Sequence, residues 1–192
     1  MSFKETILLI YSDSSRYSLE NKKNYFSIWF TCPGLWVTTI YRLMRYFKYE
    51  FKIPVFKQVI YLFLNVIAQI LKFMTCIELY PKTKIGKGLY IPHIGNIIIH
   101  SDSIIGDYCT ILQGTTIGNN GKNNESGVPK IGDRVKLCAG SVIIGDIKIG
   151  NGVVIGANAV VTKDIPDNAI VAGIPATILN YKGSENFIRY KK

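Results

Sequence analysis

The sequence predicts a mainly β protein: a parallel β-helix of about five coils, preceded by an α-helical segment. Three observations carry this. Leu, Ile or Val recurs every six positions at 79, 85, 91 and 97, then at 99, 105, 111 and 117, and again at 131, 137, 143, 149, 155 and 161. Gly or a small residue usually follows, as in IGKGLY, IGDYCT, IGDRVK, IGNGVV and IGANAV. Before residue 77 the six-residue pattern is absent and helical spacing replaces it. These changes divide the chain into an α-helical segment 1–76, a hexapeptide-repeat domain 77–179 with a loop at 118–130, and a basic tail 180–192.

Along the first segment, residues 1–30 mix polar and aromatic side chains, and Ile7–Tyr11 is too short an apolar run for a signal sequence. Cys32-Pro33-Gly34 reads as a break. Residues 35–50 place Leu35, Thr39, Leu43, Met44 and Phe47 near a 3.6-residue period, which predicts a helix. Pro54 opens the next one, because proline suits the first helical turn. Residues 55–74 are the most apolar stretch, interrupted by Lys57, Gln58, Asn65, Gln69 and Lys72. Asn65, Gln69 and Lys72 define one polar face. The interruptions favour a helix packed in an oligomer or lying on a membrane surface over one that crosses a bilayer.

A period of six fits neither a helix nor a single strand. It fits a solenoid in which each hexapeptide forms one side of a triangular coil, the aliphatic residue pointing inward and Gly, Asn and Asp turning the corners. Two faults interrupt it: two extra residues between Ile97 and Ile99, and eight between Ile117 and Ile131. Both are expected as outward loops. The repeat runs out near residues 164–168, and Gly173 and Pro175 turn the chain off the prism. The tail is expected to fray.

The 192 residues carry 23 Lys and Arg against 13 Asp and Glu, a net charge of +10. Such a field favours anionic partners. Nucleic acid is excluded as a partner, because the basic residues are scattered and no recognition module is present. Cys32, Cys76, Cys109 and Cys138 stand far apart, with no metal-ligand spacing to the two histidines; buried, reduced thiols in a cytoplasmic protein are expected.

Register places the candidate site. Ile91, Ile111, Leu137 and Ile155 fall on one face of successive coils, so the residues two places on, His93, Gln113, Ala139 and Ala157, are expected to stack in a column. His93 is the one titratable member, and a histidine is well matched to removing a proton from a hydroxyl. The other reading of His93 is a surface residue on a turn. His100 lies off the column, as a structural residue or part of an acceptor pocket. Ala139, Gly140, Ala157 and Asn158 leave backbone amides approachable by an extended ligand, with Gly118 and Asn119 along its upper part. Lys163, with Lys182 and Arg189, is placed to meet phosphates. Tight corners alone would also explain the small residues.

The chain resembles the hexapeptide-repeat acyltransferases, their serine acetyltransferase branch above all, in ELYPKTKIGKGLYIPHIGNIII, TILQGTTIGNNGK, VPKIGD and IGANAVVTKDIPDNAIVAGIPA. The resemblance implies a left-handed coil and homotrimers, with dimers of trimers a further step. It implies active sites between subunits, acetyl-CoA as co-substrate, no metal, and His93 as the base. Glu78, Asn96, His100 and Gln113 are the candidate acceptor residues. Four positions depart from the serine acetyltransferase pattern. Pro92 stands for the aspartate before the histidine, Val128 after Gly127 for a second histidine after arginine, and Glu78 for an aspartate of the first coil. The missing countercharges disfavour a zwitterionic acceptor. They point instead toward the polysaccharide O-acetyltransferases of the same superfamily, which act on sugar hydroxyls. Serine O-acetylation and a non-catalytic trimeric scaffold are the alternatives. A peripheral position on the inner face of the plasma membrane would suit the basic, aromatic N-terminal segment.

Overall fold

The structure is a computed structural model and describes residues 2–121 and 127–189. Four helices precede the coil: α1 (Phe3–Asn21), α2 (Tyr25–Thr31), α3 (Pro33–Tyr49) and α4 (Pro54–Thr75). Each start has a local cause. Ser2 and Glu5 form a reciprocal cap at α1, the Asn24 side chain accepts from Ser27 N–H at α2, and Pro33 and Pro54 occupy the first turns of α3 and α4. The expected break at residues 32–34 is the junction of α2 and α3, and the two expected helices are one or two residues longer than their apolar spacing suggested. The helices of residues 3–31 lie where no helical period was visible.

The coil has three faces. The first holds β1 (Ile77–Glu78), β3 (Ile97–Ile99), β6 (Thr116–Gly118), β9 (Val142–Ile144) and β12 (Val160–Val161). The second holds β2 (Lys84–Ile85), β4 (Ile104–Ile105), β7 (Lys130–Ile131) and β10 (Lys148–Ile149). The third holds β5 (Thr110–Ile111), β8 (Lys136–Leu137), β11 (Val154–Ile155) and β13 (Ile170–Ala172), with β14 (Thr177–Asn180) antiparallel at its edge. All other pairings are parallel, and the chain visits the faces in turn, making five coils. The coil is left-handed.

The core is the inward column of each face: Ile97, Ile99, Ile111, Leu137, Ile143 and Ile155 are fully buried. The glycine-acidic dipeptides also find their cause. Between the second and third faces, Asp107 Oδ1 accepts from Lys87 N–H (2.9 Å), Asp133 Oδ1 from Asp107 N–H (2.8 Å), Asn151 Oδ1 from Asp133 N–H (2.8 Å) and Asp167 Oδ1 from Asn151 N–H (2.7 Å). Each carboxylate or amide thus ties one coil to the coil before it. The next residue turns the corner with positive φ in every coil, as Gly88, Tyr108, Arg134, Gly152 and Asn168.

Buried ion pairs fasten the helices to the coil. Arg42 donates to both carboxylate oxygens of Asp13 (3.0 and 3.2 Å) and to Ile85 O (2.6 Å), and Asp13 also accepts from Leu89 N–H (2.9 Å). Arg16 donates to Glu20, to Tyr108 O and to Thr110 Oγ1. Tyr17 both donates to Ile91 O and accepts from Ile91 N–H, each at 3.0 Å.

Several expectations are corrected. Ile77 is the buried inward residue of β1, and Leu79, two residues on and in register with Ile99, is only half-buried as it packs against the core at the open end of the coil. Ile97 and Ile99 are both inward residues of the single strand β3, so no insertion separates them. The two extra residues belong to the preceding turn, 92–96. The fifth coil continues past residue 168 through Ala169 and Val171 before the chain turns back into β14. The described part of the tail is packed on the body: Ser184 Oγ donates to Arg134 O (2.6 Å), Lys136 lies over the Phe187 ring, Ile188 is buried and Arg189 N–H donates to Glu20. Cys32 and Cys109 are buried and free as expected, Cys138 is half-buried, and Cys76 is exposed.

Candidate active site

The corner between the third and first faces carries most of the candidates. Gly140 N–H donates to Gln113 O and Asn158 N–H to Ala139 O, both at 2.9 Å, so Gln113, Ala139 and Ala157 do stack. The residue above Gln113 is Gly95, whose carbonyl accepts from Gly114 N–H (3.0 Å), and not His93. His93 stands two residues earlier, exposed on the outside of the widened turn 92–96. Gly95 (φ 123°) and Asn96 (φ 40°) close that turn, and Gly95 N–H is tied to Thr75 O (2.8 Å) at the end of α4. The extra residues therefore push the imidazole out of the column and onto its rim. There it forms no hydrogen bond or ion pair among the described residues.

The same corner is lined with approachable backbone. Ala139 and Gly140 are half-buried, Ala157 and Asn158 exposed. The Oε1 of Gln113 is buried and lacks a partner among the described residues, which fits an amide held for a ligand.

Gly118, Asn119 and Lys163 lie one corner further on, between the first and second faces. Gly118 and Asn119 line a groove of about 390 Å³ with Tyr80, His100, Thr116 and Ile144. A Cβ on Gly118 would meet nothing within 4 Å, so its backbone is open. His100 has a structural role as well, because its Nδ1 accepts from Asp102 N–H (3.2 Å). Lys163 is exposed at this corner in the last coil. Lys182 and Arg189 are not brought to it: Arg189 docks beside Glu20 of α1, and Lys182 N–H bonds to Asn180. The expected phosphate cluster is thus reduced to Lys163.

Glu78 and Asn96 do come together. They line a cavity of about 590 Å³ with Ile98, Cys76 and three residues of α4, Gln69, Lys72 and Phe73. Lys72 Nζ lies 2.6 Å from Glu78 Oε1, and Tyr80 donates its hydroxyl proton to the same oxygen. Lys72, then Tyr80, hold the Glu78 carboxyl below the usual carboxylate range, and Glu78 raises Lys72. Glu78 therefore serves Lys72 and Tyr80, and no contact with His93 is present. The sequence reading missed Lys72, Phe73 and Tyr80. The signal available was the spacing from Lys72 to Glu78 across the end of a helix. Among the described residues no cluster of His, Cys, Asp or Glu fits a metal ion.

Residues 129–163 match the bacterial transferase hexapeptide (six repeats) family. A serine acetyltransferase of Staphylococcus aureus is 39% identical over 147 residues, covering 77% of this chain and 69% of the relative. The chain belongs to the serine acetyltransferase-like hexapeptide-repeat acetyltransferases. A serine acetyltransferase of Staphylococcus epidermidis is 44% identical over 123 residues, or 64% of this chain, and the match spans 58% of that relative's length. Among solved structures, a serine acetyltransferase in complex with cysteine superposes with a TM-score of 0.78 at 26% identity, covering 93% of this chain and 67% of that one. The Brucella abortus strain S19 serine acetyltransferase in complex with coenzyme A shares the fold, with a TM-score of 0.81 at 24% identity over 94% of this chain and 70% of the other.

Proposed function

We propose that the chain is an acetyl-CoA-dependent O-acetyltransferase with His93 as general base, acting on L-serine as the relatives' names indicate. The observation that carries this is the three–one corner. A histidine with no hydrogen bond or ion pair among the described residues stands on the rim of that corner, beside a ladder of small residues with open backbone. In the proposed step the His93 imidazole takes the acceptor hydroxyl proton as that oxygen bonds to the thioester carbonyl carbon. Backbone N–H groups meet the developing oxyanion. The C–S bond then breaks, the acetyl ester forms, and the thiolate takes up the proton to leave as CoA. Ala139, Gly140, Ala157 and Asn158 would line the donor's arm, Gln113 its inner wall, and Glu78 and Asn96 the acceptor cavity. A homotrimer, which would seat His93 in a groove against a second copy, and a cytoplasmic location belong to the same reading.

The reading reached from sequence, a sugar hydroxyl of a surface polysaccharide, stands second, because the relatives are serine acetyltransferases. What favours it is the Lys72–Glu78 pair, which occupies the carboxylate that an amino acid's ammonium would use.

Thiol release from acetyl-CoA, with L-serine set against sugar nucleotides and oligosaccharides, decides between them. Turnover with L-serine retires the sugar reading, and turnover with a sugar alone retires serine. His93→Ala should lower kcat by about 10²–10⁴ with the fold intact. Near-native turnover in that variant, or no acetyl-CoA turnover by the native chain with any acceptor, would leave the non-catalytic scaffold.

A further inference from the structure

The helix α4 is built with its apolar side outward. Its inner face packs on α3, and half-buried Asn65 with the more exposed Gln69 and Lys72 lines a cavity of about 370 Å³ between the helices and β1. Val55, Val59, Phe63, Val66, Ile70 and Met74 face away from the protein, each more than half exposed. They form a stripe about 29 Å long, at 1.5 Å per residue, with no charge in it. By length and composition α4 could cross a membrane. It is held flat against the body instead, through Lys72–Glu78 and through the bonds from Gly95 and Ile97 to its last turn and C-cap.

Charge decides what covers this face. Residues 1–75 hold ten basic and four acidic side chains. Two of the acids, Asp13 and Glu20, are taken up by the buried Arg42 and Arg16. Lys4, Lys22 and Lys52 form no ion pair among the described residues. A second copy would bring the same positive surface against itself. An anionic bilayer supplies the opposite charge, and an apolar phase for the stripe.

We propose that the outward face of α4 seats the protein on an anionic membrane surface, the helix lying in the plane of the headgroups. The test is co-sedimentation of the full chain with phosphatidylcholine vesicles, with and without phosphatidylglycerol, at low and high salt. Molar mass in solution is read alongside by light scattering. Pelleting is expected only with phosphatidylglycerol and should weaken with salt. Val59→Gln/Phe63→Gln/Val66→Gln should lower partitioning by about a hundredfold at unchanged molar mass, circular dichroism and acetyl-CoA turnover. Lys4→Glu/Lys52→Glu changes only exposed side chains, so it should fold, and it should weaken pelleting in the same direction. No pelleting of the native chain overturns the proposal, as does pelleting that neither variant changes. A drop in molar mass in the apolar variant also overturns it, because it would show that a second copy covers the face.

Discussion

Replacing Asp13 by alanine tests what holds the helical layer on the coil. Both Asp13 and Arg42 are about 1% exposed. The substitution removes two charge-assisted bonds to the guanidinium and the acceptor for Leu89 N–H. It leaves Arg42 charged, buried and bonded to the neutral Ile85 and Gly86 carbonyls alone. Burial pushes the Asp13 carboxyl up, Arg42 pulls it back, and Asp13 in turn raises the guanidinium against its own desolvation. Breaking such a pair from one side costs about 3–5 kcal/mol. A domain of this kind has about 5–15 kcal/mol in total, so the midpoint of urea unfolding should fall sharply. Arg42→Met removes the stranded charge. The double variant should therefore be less destabilised than the two single losses summed, with a coupling of about 2 kcal/mol or more. Urea titration by circular dichroism at fixed protein concentration measures all four corners of the cycle. A loss below about 1 kcal/mol for Asp13→Ala, or strictly additive single losses, would refute the claim that this pair fastens the layer.

Two further outcomes concern the site and the thiols. Lys72→Met should return the Glu78 carboxyl upward toward the ordinary carboxylate range, as read by NMR titration. The pair's stabilisation is present above the unfolded carboxylate pKa and is lost as pH falls through the lowered folded value, so this acid-side loss should shrink in the variant. Burial pushes the Cys109 thiol up to about 12, so a thiol reagent followed by peptide mass spectrometry should label exposed Cys76 in the native protein and Cys109 only on unfolding.

The coil was legible because one physical demand, an aliphatic side chain inside each turn, repeats every six residues. The helices of residues 3–31 were not, and the reason lies in what α1 buries. Its inward residues are Thr6, Asp13, Ser14, Arg16 and Tyr17, a polar set that meets the coil through hydrogen bonds and leaves no apolar period to read. The displaced column has a different cause. In β3 the alternation of a strand puts Ile97 and Ile99 on the same side, so a two-residue excess looks the same before the strand as within it. Counting inward residues therefore placed His93 over Gln113, whereas the excess lies in the turn and Gly95 takes that place. The site's α4 side was hidden because Lys72 and Phe73 read as interruption and continuation of an apolar helix, and only tertiary contact sets them beside Glu78.

That contact also changes the weight of the sequence argument against serine. Loss of the aligned countercharges alone would leave an amino acid's ammonium without a partner. Glu78 is present and ionised, and the question is what it costs to free it from Lys72. The two side chains are 46% and 22% exposed. An ion pair in that setting is worth about 0.2–1 kcal/mol, because water screens it and the lysine stem remains mobile. An ammonium group of an incoming acceptor can displace Lys72 at that cost, less than a tenfold penalty in affinity. The displaced Lys72 would then lie close to the acceptor's own carboxylate. The pair is thus too weak to exclude serine, and it could supply both halves of a clamp that the aligned positions Pro92 and Val128 no longer provide.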